Sequence, residues 1–380
     1  MTFRLRRTIF TLLAGTICAL TITRTSGAQQ TEKPLLAEEA FKNVKILKGI
    51  PVDEFMDTMG MFSAATNMNC ADCHADDSTG TWDKFATDTP LKETARRMIL
   101  MVNTINKDNF KGVRLMTCYT CHHGDRLPKH VPSLLVQYSA PIEDPNEVNV
   151  FANDGGPSAQ QVLDKYIQAL GGAQRLANLR SFVARGTYSG FDTEQANVPF
   201  EIFAKAPGQR TTIVHAGFGD SVRAYDGRAA WIASADKPLP LMQLTGGNLD
   251  AAKIEALVSF PSQIKEAFSQ WKATSTSIED RDVRLLQGSN PRQAPVNFYF
   301  DDSGLLVRLV RFVDTAVGRI PAQIDYSDYR DVAGVKMPFR WTATWTDGQS
   351  TTQLSDVQAN VPVNDGKFAK PGPAPPPKLQ

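Results

Sequence analysis

The sequence predicts an α+β chain of two domains, in which an all-α domain precedes a curved antiparallel β-sheet with covering helices. Three features predict this class: two C-x-x-C-H runs among apolar residues at helical spacing, a stretch rich in Pro, Asn and Asp, and a long series of strand-like segments. The first domain is predicted at 43–130 and the second at 158–370, with a linker at 131–157. Residues 29–42 are predicted to be a further linker, and residues 371–380 a Pro-rich disordered tail.

The composition and the first residues indicate an exported protein rather than a nucleic-acid binder. The 380 residues include 41 Lys and Arg against 40 Asp and Glu, whereas a nucleic-acid binder normally has a basic excess. Residues 1–28 have the three parts of a Sec-type signal: an Arg-rich start, an apolar run from Ile9 to Ile22, and small residues at 26–28. The predicted location is therefore the periplasm. Retention of this segment as a membrane anchor, or membrane association through a partner, is the alternative.

Two short runs carry the chemistry of the first domain. Cys70-Ala71-Asp72-Cys73-His74 and Cys118-Tyr119-Thr120-Cys121-His122 both have the C-x-x-C-H pattern of covalent c-type haem attachment. Two thiols at this spacing can reach the two vinyl groups on one edge of the porphyrin, and the adjacent His supplies an imidazole to the iron. Every cysteine after the predicted signal belongs to one of the runs. The prediction is two covalently attached c-type haems, with attachment through Cys70, Cys73, Cys118 and Cys121 and proximal iron ligation by His74 and His122.

Two other uses of these cysteines compete with haem attachment. Two C-x-x-C pairs can form one tetrahedral zinc site with four thiolate ligands, but the His after each pair and the export signal favour haem. A redox-active C-x-x-C motif normally lies in a thioredoxin-like βαβ unit, and the surrounding sequence shows no such pattern.

Each C-x-x-C-H run follows a predicted helix that carries methionines. The first helix is predicted to start at Pro51 and the second at Thr89-Pro90, because Pro suits the first turn of a helix. A Met thioether opposite His is a common sixth ligand of haem iron and raises its reduction potential. Core packing is the more frequent use of Met and remains the alternative. The candidate distal ligands are Met56 and Met98, with Met59 and Met101 as alternates one turn later.

The stretches "NVKILKGIPVDEFM…NCADCH" and "ARRMILMVNTIN…GVRLMTCYTCHHG" resemble the first two haem segments of the photosynthetic reaction-centre cytochrome c subunit family. The resemblance covers roughly residues 43–128. That family takes a Met ligand from a helix upstream of each C-x-x-C-H run. The resemblance therefore implies that Met56 lies opposite His74 and that Met98 lies opposite His122. It also implies electron transfer, with a reaction centre or another membrane complex as a partner.

The sequence departs from that family in two respects. The family carries four haems, whereas this chain has two attachment runs. The family also has a His shortly before its second run, which ligates the fourth haem, and Lys107–Thr117 contains no His. A β-rich region replaces the second half of the family protein, so re-reduction of a photo-oxidised donor does not follow from the resemblance alone.

The second domain begins with helices and continues with strands. Ser158 and Gln161 predict a capping box, Gly171-Gly172 predicts the end of that helix, and a short helix is predicted at 173–179. A helical insertion is predicted at 249–270, divided by Pro261. Turn residues separate the predicted strands, which are "SFVARGTYSG", "PFEIFAKA", "RTTIVHA", "VRAYDG", "AAWIAS", "VRLLQG", "VNFYFD", "LLVRLVRFVD", "IPAQIDYSDYRDV", "MPFRWTATWTD" and "STTQLSDVQAN".

The order of these elements, with "LTGGNLDAAKIEALV" and "YRDVAGVKMPFRW", resembles the LolA/LolB-like lipoprotein-carrier family. That resemblance implies an open half-barrel whose apolar concave face binds a lipid or a quinone-like molecule. The alternative is a concave face filled by the chain's own side chains. Four aromatic residues could either line such a cavity or fill it: Trp231, Trp341, Trp345 and Phe339.

The predicted function is that of a periplasmic dihaem c-type cytochrome that carries electrons between a redox donor and an acceptor, and not that of an enzyme. A carrier or sensor of a hydrophobic ligand, with haem as its redox reporter, is the second hypothesis. A dihaem peroxidase is the third, and the candidate Met for each iron disfavours it, because a peroxidase needs a displaceable sixth ligand. The β-domain sequence has no G-x-S-x-G, H-E-x-x-H or P-loop pattern.

Overall fold

The structure is a computed structural model that describes residues 32–75, 82–137 and 155–376. The predicted signal and most of the predicted linker lie outside the described residues. Within the described part of the chain, no helix is long and apolar enough to cross a membrane. The described part of the predicted disordered tail, residues 371–376, forms no helix or strand, but the Ala374 backbone N–H donates a hydrogen bond to the Pro240 carbonyl at 2.9 Å.

The helical segment before residue 138 begins its two long helices where the sequence predicts. Pro51 immediately precedes the first long helix, and Thr89 caps the second, which has Pro90 at its first position. A 3-10 turn at Asp83–Ala86 lies between them. The described helices of this segment are α1 Ala37–Ala40, α2 Val52–Thr66, α3 Cys70–Cys73, α4 Pro90–Asn109, α5 Cys118–His122 and α6 Leu134–Gln137.

The buried residues of α2 and α4 include polar as well as apolar side chains. The apolar residues that recur at helical spacing on α2, which are Phe55, Met56, Met59 and Phe62, are all partly buried. The face that α2 buries holds Val52, Asp53, Thr58, Met61 and Ala65. In α4 the buried residues are Ile99, Val102 and Asn106. The helix α2 contacts the β-sheet, a partner that lies far away in the sequence.

The strands in the described residues all belong to one open antiparallel sheet of 13 strands. The strands β1 to β6 form one meander and β7 to β13 form another, and the first and last strands, β1 and β13, pair in the middle. The bounds are β1 Ser181–Gly190, β2 Val198–Lys205, β3 Gln209–Ala216, β4 Gly219–Tyr225, β5 Ala230–Ala233, β6 Met242–Leu244, β7 Gln270–Ile278, β8 Arg281–Ser289, β9 Val296–Phe300, β10 Leu306–Thr315, β11 Gly318–Val332, β12 Val335–Trp345 and β13 Gly348–Ala359.

Eleven of the strands match predicted segments, and the two that were missed, β6 and β7, are the edge strands of the sheet. The edge strand β6 has only three residues. The other, β7, is mostly polar and partly exposed, with the sequence QWKATSTSI. Edge strands are commonly short or polar because such strands resist pairing with other chains. The same property weakens the sequence signal by which strands are recognised.

Three helices cover one face of the sheet: α7 Ala159–Ala169, α8 Ala173–Asn178 and α9 Gly246–Ser259. The Ser158–Gln161 capping box is confirmed, and the helical insertion is divided at Pro261 as predicted, where a 3-10 helix begins. Because α9 lies between β6 and β7 in sequence, it connects opposite edges of the sheet, and it contacts β3, β4 and β10 on the way. A continuous apolar cluster fills the space under these helices, with members such as Leu163, Ile254, Phe298, Leu309 and Leu354.

The helical segment and the sheet share an apolar core. Val317, in the turn between β10 and β11, is buried with Met61 of α2 and Ile99 of α4. The chains approach closely there, because a Cβ added at Gly318 would lie 2.7 Å from the Met61 Cε atom. The guanidinium of Arg114 also donates a hydrogen bond to the Thr315 carbonyl. The structure therefore does not confirm a self-contained all-α domain, since a hairpin of the sheet completes the core of the helical segment.

A polar contact joins α2 to the start of α9. The Asp53 carboxylate accepts hydrogen bonds from the Thr245 backbone N–H at 2.5 Å and from the Thr245 hydroxyl at 2.8 Å. The Asn248 amide donates to Asp57 at 2.6 Å. Burial raises the pKa of Asp57 to about 7. Asp53 is 3% exposed, so this contact is an internal part of the structure and not a surface ion pair.

Candidate functional site

The two C-x-x-C-H runs fold into short helices with the same kind of cap. In α3 the Asn69 side chain accepts from the Asp72 N–H at 3.1 Å, and Asp72 in turn accepts from the Asn69 N–H at 2.8 Å. In α5, Thr117 and Thr120 exchange the equivalent bonds at 3.3 and 3.1 Å. Residues three apart lie on the same face of a helical turn, so each helix presents its two thiols together. The two runs are thus a structural repeat.

Both histidines of the runs are oriented by a backbone carbonyl. The Nδ1 atom of His74 lies 3.0 Å from the Phe85 carbonyl oxygen, and the Nδ1 atom of His122 lies 3.0 Å from the Asp125 carbonyl oxygen. A carbonyl can only accept, so Nδ1 carries the proton in both rings. The neutral ring then has its lone pair on Nε2, the tautomer that coordinates a metal through Nε2. Burial lowers the pKa of His74, although its bond to Phe85 acts in the opposite direction.

Two residues outside the runs, Thr89 and Asn106, hold the runs in place. The Thr89 hydroxyl donates to the Cys73 carbonyl at 2.6 Å, which ties the end of α3 to the start of α4. The buried Asn106 side chain accepts from the Leu115 and Met116 N–H groups at 3.1 and 2.9 Å and donates to the Met116 carbonyl. Thr89 could be recognised from sequence as a cap, but Asn106 had no signal because its partners lie in an irregular loop.

The four thiols are free, and burial raises the pKa of Cys73 and raises that of Cys118 to about 11. Redox-active cysteines usually have lowered pKa values, so this environment does not favour the redox alternative. Within the described ranges, no three His, Cys, Asp or Glu side chains are grouped closely enough to hold a metal ion. The four cysteines are therefore not gathered as the zinc alternative would require.

The candidate methionines lie on the two long helices. Met56 and Met59 are partly buried on α2. Met98 and Met101 on α4 are 38% and 45% exposed. Their pairing with His74 and His122 stays a prediction.

The helical segment that carries the two runs has several exposed large apolar side chains. Exposed groups of this size are unusual on a monomer surface when they lie close together, and they commonly mark a binding region. The thiol pairs, the oriented imidazoles and this apolar surface fit a large, flat, mostly apolar group held by two thioether bonds. The exposed residues of this region are Trp82, Met98, Leu100, Met101, Val113, Leu115, Tyr119 and Leu127.

Comparisons with known proteins match two different families to two parts of the chain. The family described as "Photosynthetic reaction centre cytochrome C subunit" matches residues 16–158, and a family of unknown function (DUF6544) matches residues 224–355. The chain is 35% identical over 98 residues to the photosynthetic reaction center cytochrome c subunit of Thermochromatium tepidum. This match covers 25% of this chain and 23% of the relative. The chain is also 34% identical over 103 residues to the photosynthetic reaction center cytochrome c subunit of Rubrivivax gelatinosus. That match covers 25% of this chain and 25% of the relative. The match thus spans about a quarter of these relatives.

Two solved structures show a low level of similarity to part of this chain. A LolA superfamily protein from Nitrosomonas europaea has a TM-score of 0.38 at 15% identity, covering 57% of this chain and 99% of that chain. A putative outer membrane lipoprotein-sorting protein domain from Vibrio parahaemolyticus has a TM-score of 0.38 at 9% identity, covering 55% of this chain and 95% of that chain. The resemblance to the reaction-centre cytochrome c subunit family, stated from the sequence, is confirmed for the first part of the chain.

Proposed function

We propose that this chain is a periplasmic dihaem c-type cytochrome that carries electrons between redox partners. The observation that carries the proposal is the repeated C-x-x-C-H helix, in which each His has its Nδ1 proton held by a backbone carbonyl and its Nε2 left as a ligand atom. In this proposal Cys70 and Cys73 attach one haem and Cys118 and Cys121 attach the other, while His74 and His122 bind the irons. Haem supplies reversible one-electron chemistry when bound.

The protein's own residues orient and shield the electron carrier. The Phe85 and Asp125 carbonyls hold the two imidazoles and, by accepting the Nδ1 proton, make them better donors to iron. The shared core of α2, α4 and the β10–β11 hairpin fixes the helices that carry the candidate methionines. A fixed ligand set reduces the rearrangement that accompanies each electron transfer. The sheet therefore acts as a rigid support for the cytochrome part in this proposal.

The partners follow from the cytochrome similarity. A redox donor and an acceptor are required, and a reaction centre or another membrane electron-transfer complex is a candidate acceptor because the matched relatives are named as reaction-centre subunits. The predicted Sec-type signal would bring the chain to the periplasm before haem attachment.

The proposal is tested by counting haems on the exported protein. We expect pyridine haemochrome absorbance to give two covalent haems per chain, retained after acid–acetone extraction, because each C-x-x-C-H run supplies two thiols. Intact mass measured on the same sample checks the count independently. A value below two per chain would contradict the dihaem assignment.

The distal ligands are tested separately. We expect Met56→Ala and Met98→Ala each to remove about half of the Met-to-iron charge-transfer absorption of the ferric protein, because that band requires Met-ligated haem. Met59→Ala and Met101→Ala are matched controls on the same helices and should leave the band unchanged. If Met59→Ala or Met101→Ala removed the band instead, that residue would be the distal ligand. A band that is unchanged in all four variants would exclude Met ligation from these helices.

A further inference from the structure

A second group of charged side chains lies between α9 and the sheet, away from the C-x-x-C-H helices. Glu255 of α9 faces three arginines from three strands. Its carboxylate oxygens lie 3.7 Å from Arg210 of β3, 3.2 Å from Arg223 of β4 and 3.9 Å from Arg311 of β10. Burial opposes ionisation of Glu255, but the three arginines together hold its pKa below the usual range. The cluster is thus assembled by α9 as it crosses from one half of the sheet to the other.

The cluster has more hydrogen-bond donors than acceptors. The Nε atoms of Arg223 and Arg311 are buried and have no hydrogen-bond partner among the described residues. Arg210 directs its Nε to the Ser259 hydroxyl at 3.2 Å and not to Glu255. A buried guanidinium N–H without an acceptor is unfavourable, because buried polar groups are normally hydrogen-bonded. Burial lowers the pKa of Arg210 and Arg311, which shows the same cost.

The cluster also carries excess positive charge. Three guanidiniums against the single carboxylate of Glu255 leave two positive charges. Asp57 of α2 interacts with Arg311 and reduces the excess to one when it is ionised. A phosphate group carries between one and two negative charges at neutral pH and accepts several hydrogen bonds. The planar guanidinium fork suits phosphate oxygens particularly well.

We propose that the arginine cluster of Arg210, Arg223 and Arg311 binds a phosphate group, borne either by a free anion or by a lipid head group. Glu255 occupies the centre of the cluster and competes for the same donors, so binding requires its carboxylate to move aside. A small cavity of about 20 Å³ beside Arg311, between α9 and β10, leaves room for little more than a water molecule. Entry of phosphate therefore shifts α9 outward. This site is separate from the proposed haem attachment.

The test measures phosphate binding to the purified full-length protein by titration calorimetry at constant ionic strength. We expect inorganic phosphate to bind the unaltered protein, Arg223→Gln to weaken binding about tenfold or more, and Glu255→Gln to strengthen it, because the competing charge is removed. Arg223 is chosen because its side chain is 28% exposed, so its replacement is the least disruptive of the three. Arg281→Gln is the matched control, since Arg281 pairs only with Glu279 on the surface.

Vesicles distinguish the two sources of phosphate. Binding to phosphatidic acid vesicles but not to phosphatidylcholine vesicles or inorganic phosphate would assign a lipid head group, and binding of inorganic phosphate alone would assign a free anion. In either case Arg223→Gln must weaken binding while Arg281→Gln does not. Equal effects of the two arginine variants, weaker binding by Glu255→Gln, or no binding in any arm would overturn the proposal. Thermal unfolding of each variant confirms that it is folded.

Discussion

Replacing both Cys118 and Cys121 with serine is expected to halve the covalently bound haem, from two per chain to one. The thiols of α5 are the only attachment groups that the second run offers, and serine preserves the size and polarity of the site without forming a thioether. The double variant Cys70→Ser/Cys73→Ser should lose the other haem and produce the same count. Pyridine haemochrome absorbance per chain and intact mass both report the change.

The fifth cysteine supplies the control for that experiment. Cys18 lies in the predicted signal and outside both runs, so Cys18→Ser should leave the haem count unchanged. The variant that lacks all four motif cysteines should carry no covalent haem. Retention of two haems in either double variant would show that the runs are not the attachment sites.

Replacing Asp53 with alanine is expected to lower the free energy of unfolding by about 2–4 kcal/mol. The variant leaves the Thr245 N–H and hydroxyl without their acceptor in a buried contact. It also removes a negative charge from the positive end of α9, where a carboxylate is favourable. Urea denaturation followed by circular dichroism measures the loss, with the haem absorbance recorded alongside to report on the helical segment.

Two variants define what the Asp53 contact contributes. Asp53→Asn retains the shape and one acceptor oxygen, so it should lose less stability than the alanine variant. Asp282→Ala removes an exposed carboxylate on β8 and should change stability by less than about 0.5 kcal/mol. If Asp53→Ala were as mild as Asp282→Ala, the contact between α2 and α9 would not hold the helical segment on the sheet.

The sequence could predict the features that depend on near neighbours. The C-x-x-C-H spacing identified the thiols and imidazoles, Pro51 and Thr89-Pro90 located the starts of α2 and α4, and Ser158 with Gln161 located α7. These features are local because a cap, a turn or an attachment motif is complete within a few residues. Eleven strands could be recognised for the same reason, since each alternation or apolar run belongs to one segment.

Other features depended on contacts between distant segments. Periodicity could not show that α2 buries Asp53, because the Asp53 carboxylate accepts its hydrogen bonds from Thr245, nearly 200 positions later. It could not show that Val317 completes the core of the helical segment, or that β1 and β13 join two meanders into one sheet. The polar edge strand β7 has too weak a pattern to be recognised without its neighbour β8.

The sequence by itself determined the chemistry available to this protein: two thiol pairs, each followed by an imidazole. Only the tertiary structure decided how these groups are held. It supplied the carbonyls that orient His74 and His122, the hairpin that supports α2 and α4, and the arginine cluster beneath α9. The physical reason is that a motif is fixed by covalent spacing, whereas its environment is fixed by packing between segments that meet only in the folded chain.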